Sequence, residues 1–177
     1  MPFYQKNGKI PTKRHTIFKN IKTDGIFYEE LISRSGFSDI YSNVYHLRMP
    51  TRVKKVFDFV EQKITPLNGK HRHRHIKTAQ INKQGDAFFS RVLLFFNLDI
   101  KIYKAHIIES MDYHYRNGYA DELIYVQSGK GRLNTNFGCL NIISGDYIII
   151  PRGVIWKLQC DQPIHALIVE SNSSIRT

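Results

Sequence analysis

His71-Arg72-His73-Arg74-His75 sets three imidazoles and two guanidinium groups side by side. If this run is extended, side chains alternate between faces, so the imidazoles share one side and the guanidiniums the other. Such a face could suit Zn or Ni, and the guanidiniums could suit phosphate. The adjacent Arg charges repel a cation, however, and no carboxylate lies nearby in sequence to orient the rings, so a surface or subunit contact is the expectation. A second group comprises His114-Tyr115-Arg116, then Glu122, Gly129, Gly145-Asp146 and Pro151-Arg152-Gly153. Positions i and i+2 of a strand face the same way, so residues 114 and 116 could converge on one ion, but Arg116 is a permanent cation that cannot ligate. Asp121 and Glu122 are adjacent and on a strand point to opposite faces, which argues against a paired acid/base device. No Gly-x-Ser-x-Gly elbow, Gly-x-Gly-x-x-Gly fingerprint or phosphate-binding loop is present, so hydrolase and nucleotide-binding readings gain nothing.

The second group resembles the two motifs of the cupin superfamily, in which a His-x-His pair, a Glu and a later His hold a divalent metal inside a small β-barrel. Of those positions only His114 and Glu122 carry ligand types here. Arg116 replaces one His, and Trp156, whose indole nitrogen only donates, stands where the last is expected. Metal sites take three or four converging ligands, so no metal is expected at this barrel. Instead Glu122 is expected to pair with Arg116 or Arg152, with Trp156 filling the interior.

These residues need elements to position them. From about Thr78 the chain becomes short runs rich in Ile, Val, Leu, Phe and Tyr, divided by Gly, Asn, Asp or Pro, the rhythm of an all-β sandwich or barrel. Strands are predicted over Arg91–Phe96, Ile100–Ile107, Glu122–Val126, Arg132–Thr135, Leu140–Ile143, Tyr147–Ile150, Val154–Leu158 and Ile164–Val169. Turns are predicted at Asn117-Gly118, Ser128-Gly129-Lys130-Gly131, Asn136-Phe137-Gly138, Ser144-Gly145-Asp146 and Pro151-Arg152-Gly153. Between Thr51 and Ile64 the spacing of Val53, Val56, Phe57, Val60 and Ile64 predicts one amphipathic helix. Tyr4 to Thr23 carries Lys6, Lys9, Lys13, Arg14, Lys19 and Lys22 and no acid, and reads as an extended arm. The fold class is therefore mainly β: a cupin-like barrel or sandwich of jelly-roll type with an N-terminal arm and one helix. The expected division is a basic arm and lead-in over 1–77, a β-domain over 78–170 and a linker over 171–177 toward a second half.

With 177 residues, 42% of them hydrophobic, the chain can bury a sizeable core. Its longest apolar run, Val92-Leu93-Leu94-Phe95-Phe96, is far shorter than the roughly 20 residues that cross a bilayer, and the first residues start no signal-peptide pattern. A cytoplasmic protein with no membrane partner is expected. Cys139 and Cys160 fit that compartment as buried, unpaired residues. The net charge is +11, with 20 Lys/Arg against 8 Asp/Glu in residues 1–104 and 6 against 7 in residues 105–177. Such a basic first part, interleaved with Phe18, Phe27, Tyr28, Tyr41 and Tyr45, suits either a polyanion or a subunit interface.

Several stretches together resemble the N-terminal half of the homogentisate 1,2-dioxygenases. They are residues 4–16 (Tyr4-Gln5-Lys6-Asn7-Gly8 onward), Tyr28-Glu29-Glu30-Leu31, Tyr45-His46-Leu47-Arg48-Met49-Pro50-Thr51 and His71–His75. Met111-Asp112-Tyr113-His114-Tyr115-Arg116-Asn117, Asp121-Glu122-Leu123 and residues 145–153 follow in the same order. The resemblance implies a two-part, cupin-like enzyme of tyrosine and phenylalanine breakdown that opens the ring of homogentisate with Fe(II) and O₂. It also implies that the first part helps build a hexamer and that two His and one Glu of the second part hold the iron. No residue of 1–177 matches that triad. Accordingly no catalytic, cofactor or metal residue is assigned, and this chain alone is expected to bind no Fe(II) and to be inactive. The expected partner is another copy or the missing C-terminal half, and the abrupt end of the chain fits a fragment or a split gene. The alternative is a small cupin-like module whose basic arm binds nucleic acid or another polyanion; charge alone is weak support for it.

Overall fold

The computed structural model describes residues 19–20, 25–33, 41–49, 52–57, 69–70 and 72–176. Two units divide the chain, Met1–Arg72 and His73–Thr177. In the first, β1 (Lys19–Asn20) pairs with β2 (Gly25–Ile26), and β3 (Tyr28–Ser33) pairs antiparallel with β4 (Tyr41–His46). The His46 ring donates to Glu30 at 2.8 Å across that ladder. The helix expected over Thr51–Ile64 is not formed at 52–57. Those residues have no regular structure, and Val53, Val56 and Phe57 are exposed, so no core rewards the apolar stripe there. Positions 51 and 58–64 of that expectation, like most of the Tyr4–Thr23 arm, lie outside the described residues.

The second unit is antiparallel β. Its strands are β5 (Val92–Phe96), β6 (Ile100–Ile107), β7 (Asp121–Thr135), β8 (Gly138–Ile143), β9 (Tyr147–Ile150) and β10 (Trp156–Ser171). They run in the order β5-β6-β10-β7-β8, with β9 also on β7. Among the described residues β5 and β8 end the order unpaired, so the sheet forms a sandwich rather than a closed barrel. Alternation decides the core: Glu122, Ile124 and Val126 on β7, and Ile164, Ala166, Ile168 and Glu170 on β10, share the inner face with Tyr103, Ala105 and Ile107 of β6.

Two predicted breaks are absent. Ser128 to Gly131 is not a turn but the bend of one long strand, β7, and the two strands predicted over 154–169 merge into β10. Both strands continue through this stretch as neighbours, and β10 absorbs the irregularity with register shifts around Cys160, Gln162 and His165. The glycines serve close approach. A Cβ on Gly129 would lie 2.1 Å from the Pro163 carbonyl oxygen, and one on Gly131 would lie 2.3 Å from that of Gln159. Cysteine placement also differs from expectation, since Cys139 is exposed on β8 and Cys160 is partly exposed. Among the described residues no helix is long and apolar enough to cross a membrane.

Candidate functional site

A polar centre occupies the inner face, and it begins with a turn. The Asp86 carboxylate accepts from the Phe88 and Phe89 amides, both at 2.8 Å, and from the Tyr113 hydroxyl at 2.9 Å. An Asp at this position satisfies amides that a tight turn leaves unpaired. The turn delivers Arg91 inward, with its Nε donating to the Ala87 carbonyl at 2.9 Å. One guanidinium nitrogen, Nη1, then bridges Glu122 at 2.6 Å and Glu170 at 2.8 Å. The other Glu122 oxygen accepts from the Trp156 indole N–H at 3.2 Å, and the other Glu170 oxygen accepts from the Tyr103 hydroxyl at 3.1 Å. Side-chain exposure is 5% for Arg91 and 1% for Glu122, so this is an interior ion triad.

Glu122 and Glu170 are register partners on β7 and β10. Like charges opposed in this way repel unless a cation lies between them, and Arg91 supplies it. Burial alone disfavours the guanidinium charge, but Glu122 and then Glu170 outweigh that cost and hold Arg91 firmly protonated. The Phe88, Tyr103 and Tyr115 rings surround it at 5.5–6.0 Å. Burial, then the nearby Glu122, pushes the Tyr115 phenol well above its usual range. Burial and Glu170 do the same for Tyr103.

Sequence reasoning placed Glu122 and Trp156 in the interior, and both are there; Trp156 is fully buried. It misassigned the partner of Glu122. Glu122 pairs with Arg91, not with Arg116 or Arg152; Arg116 is exposed, and Arg152 holds Asp121 through its backbone amide at 3.0 Å and its Nε at 3.2 Å. His114 is exposed too. The inward positions of that segment are Tyr113, bonded to Asp86, and Tyr115, whose backbone bridges Trp156 and whose ring meets the indole edge-on at 5.4 Å. Arg91, Glu170, Asp86, Tyr103 and Tyr113 were not singled out. Glu170 could have been found by alternation, because it continues the inward row Ile164, Ala166, Ile168.

Of the histidine run, residues 72–75 are exposed and outside any strand, and His71 lies outside the described residues. No group of three or more His, Cys, Asp or Glu suited to a metal occurs among the described residues. Fe(II), which the resemblance brings with it, does not suit the interior donor set. Both carboxylates are taken by a fixed cation, the neighbouring phenols are held protonated, and the indole can only donate.

On the outer face the His106 and His165 rings stack at 4.0 Å across β6 and β10, and the Gln84 amide donates to His106 Nδ1 at 3.2 Å. Lys104 bonds Gln127 beside them. Burial, then the charges of His106 and Lys104, lowers the His165 pKa below 6.5. The unfolded chain therefore binds this proton more tightly than the folded one. His165 favours folding fully above about pH 6.5, and that contribution is lost as the pH falls below it. Urea titrations between about pH 7.5 and 5.5 should show stability falling with pH, and His165→Asn should flatten the slope. An equal slope in the variant would assign the dependence to other groups.

Fold and site together define a mainly β, antiparallel sandwich whose interior is closed by an ion triad. Residues 89–175 match the family model described as homogentisate 1,2-dioxygenase N-terminal, so this part of the chain is a homogentisate 1,2-dioxygenase-like N-terminal region. The chain is 34% identical over 172 residues to a protein of Saccharolobus solfataricus named "Putative dioxygenase". That alignment covers 96% of this chain and 44% of the relative, so the chain spans less than half the relative's length. Similar solved structures include a cupin protein from Bacteroides fragilis (TM-score 0.47, 18% identity, 61% of this chain and 92% of that one). A cupin-2 domain protein from Shewanella frigidimarina is also similar (TM-score 0.43, 17% identity, 47% and 80%).

Proposed function

We propose that this chain is the N-terminal, assembly-forming part of a homogentisate 1,2-dioxygenase-like protein, and that it does not itself open the ring. The observation that carries this reading is the interior triad: Arg91 bridges Glu122 and Glu170 under Trp156, and Glu122 and Trp156 stand at the sequence positions that the resemblance gives to metal ligands. Those groups organise a stable core rather than a reaction. The similarity to the N-terminal region of a ring-cleaving dioxygenase supplies the reaction class. In this reading the Fe(II)- and O₂-dependent conversion of homogentisate to maleylacetoacetate needs a further part that carries the two His and one carboxylate of a facial triad. The partner is a second copy of the chain or a protein supplying that part, in the cytoplasm.

The test is direct. Purified chain incubated with Fe(II) and ascorbate should retain no stoichiometric iron after desalting and should give no rise in maleylacetoacetate absorbance. Turnover at an enzyme-like rate, lost in Glu122→Ala, would overturn the proposal and make the sandwich interior the active site. Light scattering on the same sample should show self-association, and a monomer at all concentrations would remove the assembly role.

A further inference from the structure

Resting on that assembly reading, we infer that the edge of β8 left unpaired among the described residues is the contact through which two copies of this chain pair, antiparallel about a twofold axis at Leu140. The ladder between β7 and β8 fixes which backbone groups of β8 face outward. A two-residue turn, Asn136-Phe137, joins the two strands, and Thr135 opposite Gly138 closes the hairpin. That makes Thr135–Gly138 a hydrogen-bonded pair, and antiparallel alternation extends the pattern to Leu133–Leu140 and Gly131–Ile142. The backbone groups of Cys139, Asn141 and Ile143 accordingly point away from β7. Ile143 is already served from its own loop: its amide donates to the Asp146 carboxylate at 2.8 Å, and its carbonyl accepts from the Asp146 amide at 3.2 Å. The N–H and C=O of Cys139 and of Asn141 are left facing outward.

Those four groups match themselves under a twofold rotation centred on Leu140. Cys139 of one copy then faces Asn141 of the other, and each such pair exchanges both an N–H and a C=O. Centring the axis on Cys139 or Asn141 would leave one of them without that partner. Leu140 would face Leu140 of the second copy at a position without ladder bonds, where side chains come closest. Its side chain lies on the same face as buried Leu133 and Ile142 yet is 57% exposed, so the contact would extend the existing core across the axis.

Charge singles out this strip for contact between two copies of a basic chain. Gly138–Ile143 contains no ionisable side chain besides the Cys139 thiol, no Lys and no Pro, in a chain of net charge +11. Two copies meeting along basic surface would repel, whereas this strip carries no charge to repel. The opposite edge, β5, is interrupted by a bulge between Leu93 and Phe95, a feature that blunts strand addition.

The test uses the full chain. In a Cys139→Ser, Cys160→Ser background, Leu140→Cys should form a disulfide-linked dimer on mild oxidation, because residues facing across the axis bring their Cβ atoms within bridging distance. Asn141→Cys in the same background should not. Asn141→Pro removes one outward donor per copy and should weaken dimerisation by at least about tenfold in sedimentation equilibrium. Circular dichroism and a cooperative urea transition check that the variant folds. If wild-type chain self-associates but Leu140→Cys does not cross-link and Asn141→Pro assembles normally, the β8 contact is wrong and the assembly reading stands. If wild-type chain stays monomeric at all concentrations, both fall.

Discussion

Replacing Arg91 with Met is expected to destabilise the second unit by about 3–5 kcal/mol, a large fraction of the roughly 5–15 kcal/mol that holds a native domain folded. The size follows from what remains: Glu122 at 1% exposure and Glu170 on the facing strand would be left as opposed carboxylates with no cation between them. Trp156 and Tyr103 would still donate to them, but hydrogen bonds from neutral groups do not cancel two buried charges. The same account predicts rescue. Arg91→Met combined with Glu122→Gln and Glu170→Gln removes all three charges together and should recover most of the lost stability in urea unfolding, because a neutral core is often no worse than a buried ion triad. If Arg91→Met costs less than about 1 kcal/mol, or if the triple variant is no better than the single one, the triad does not organise the interior.

The second large effect is expected at the bend of β7. Gly129→Ala should cost at least about 3 kcal/mol, because it adds steric overlap to backbone strain. Its φ of +93° is one that L side chains rarely adopt, and the new Cβ would meet the Pro163 carbonyl oxygen at 2.1 Å, a backbone atom that cannot rotate away. Gly145→Ala is the matched control. Its φ is +96° with nothing within 4 Å of the added Cβ, so only the conformational cost of about 1–2 kcal/mol applies. Equal losses in the two variants, measured by urea unfolding, would mean that the close approach of β7 and β10 does not matter.

Strand existence and facing were legible locally, because alternation is a property of the chain itself: Ile100–Ile107 and Tyr147–Ile150 run as their apolar patterns predict. The adjacent carboxylates Asp121 and Glu122 likewise take separate partners, Arg152 and Arg91. The same logic misled at Ser128–Gly131, where glycines that usually mark a turn instead let two long strands cross closely. It misled again at His114, because the parity of an irregular segment is set by what it packs on, here Trp156 and Asp86, and not by the segment.

What the residues determined by themselves was the mainly β class, the interior place of Glu122 and Trp156, and the departure of Arg116 and Trp156 from a metal-binding pattern. Only the tertiary structure decided how Glu122 is neutralised. Arg91 lies 31 residues before it and Glu170 lies 79 residues after Arg91, on strands that meet through the β7–β10 register. A local pattern shows that a charge faces inward. Its partner is chosen by strand pairing over long separations, which no window of neighbouring residues contains.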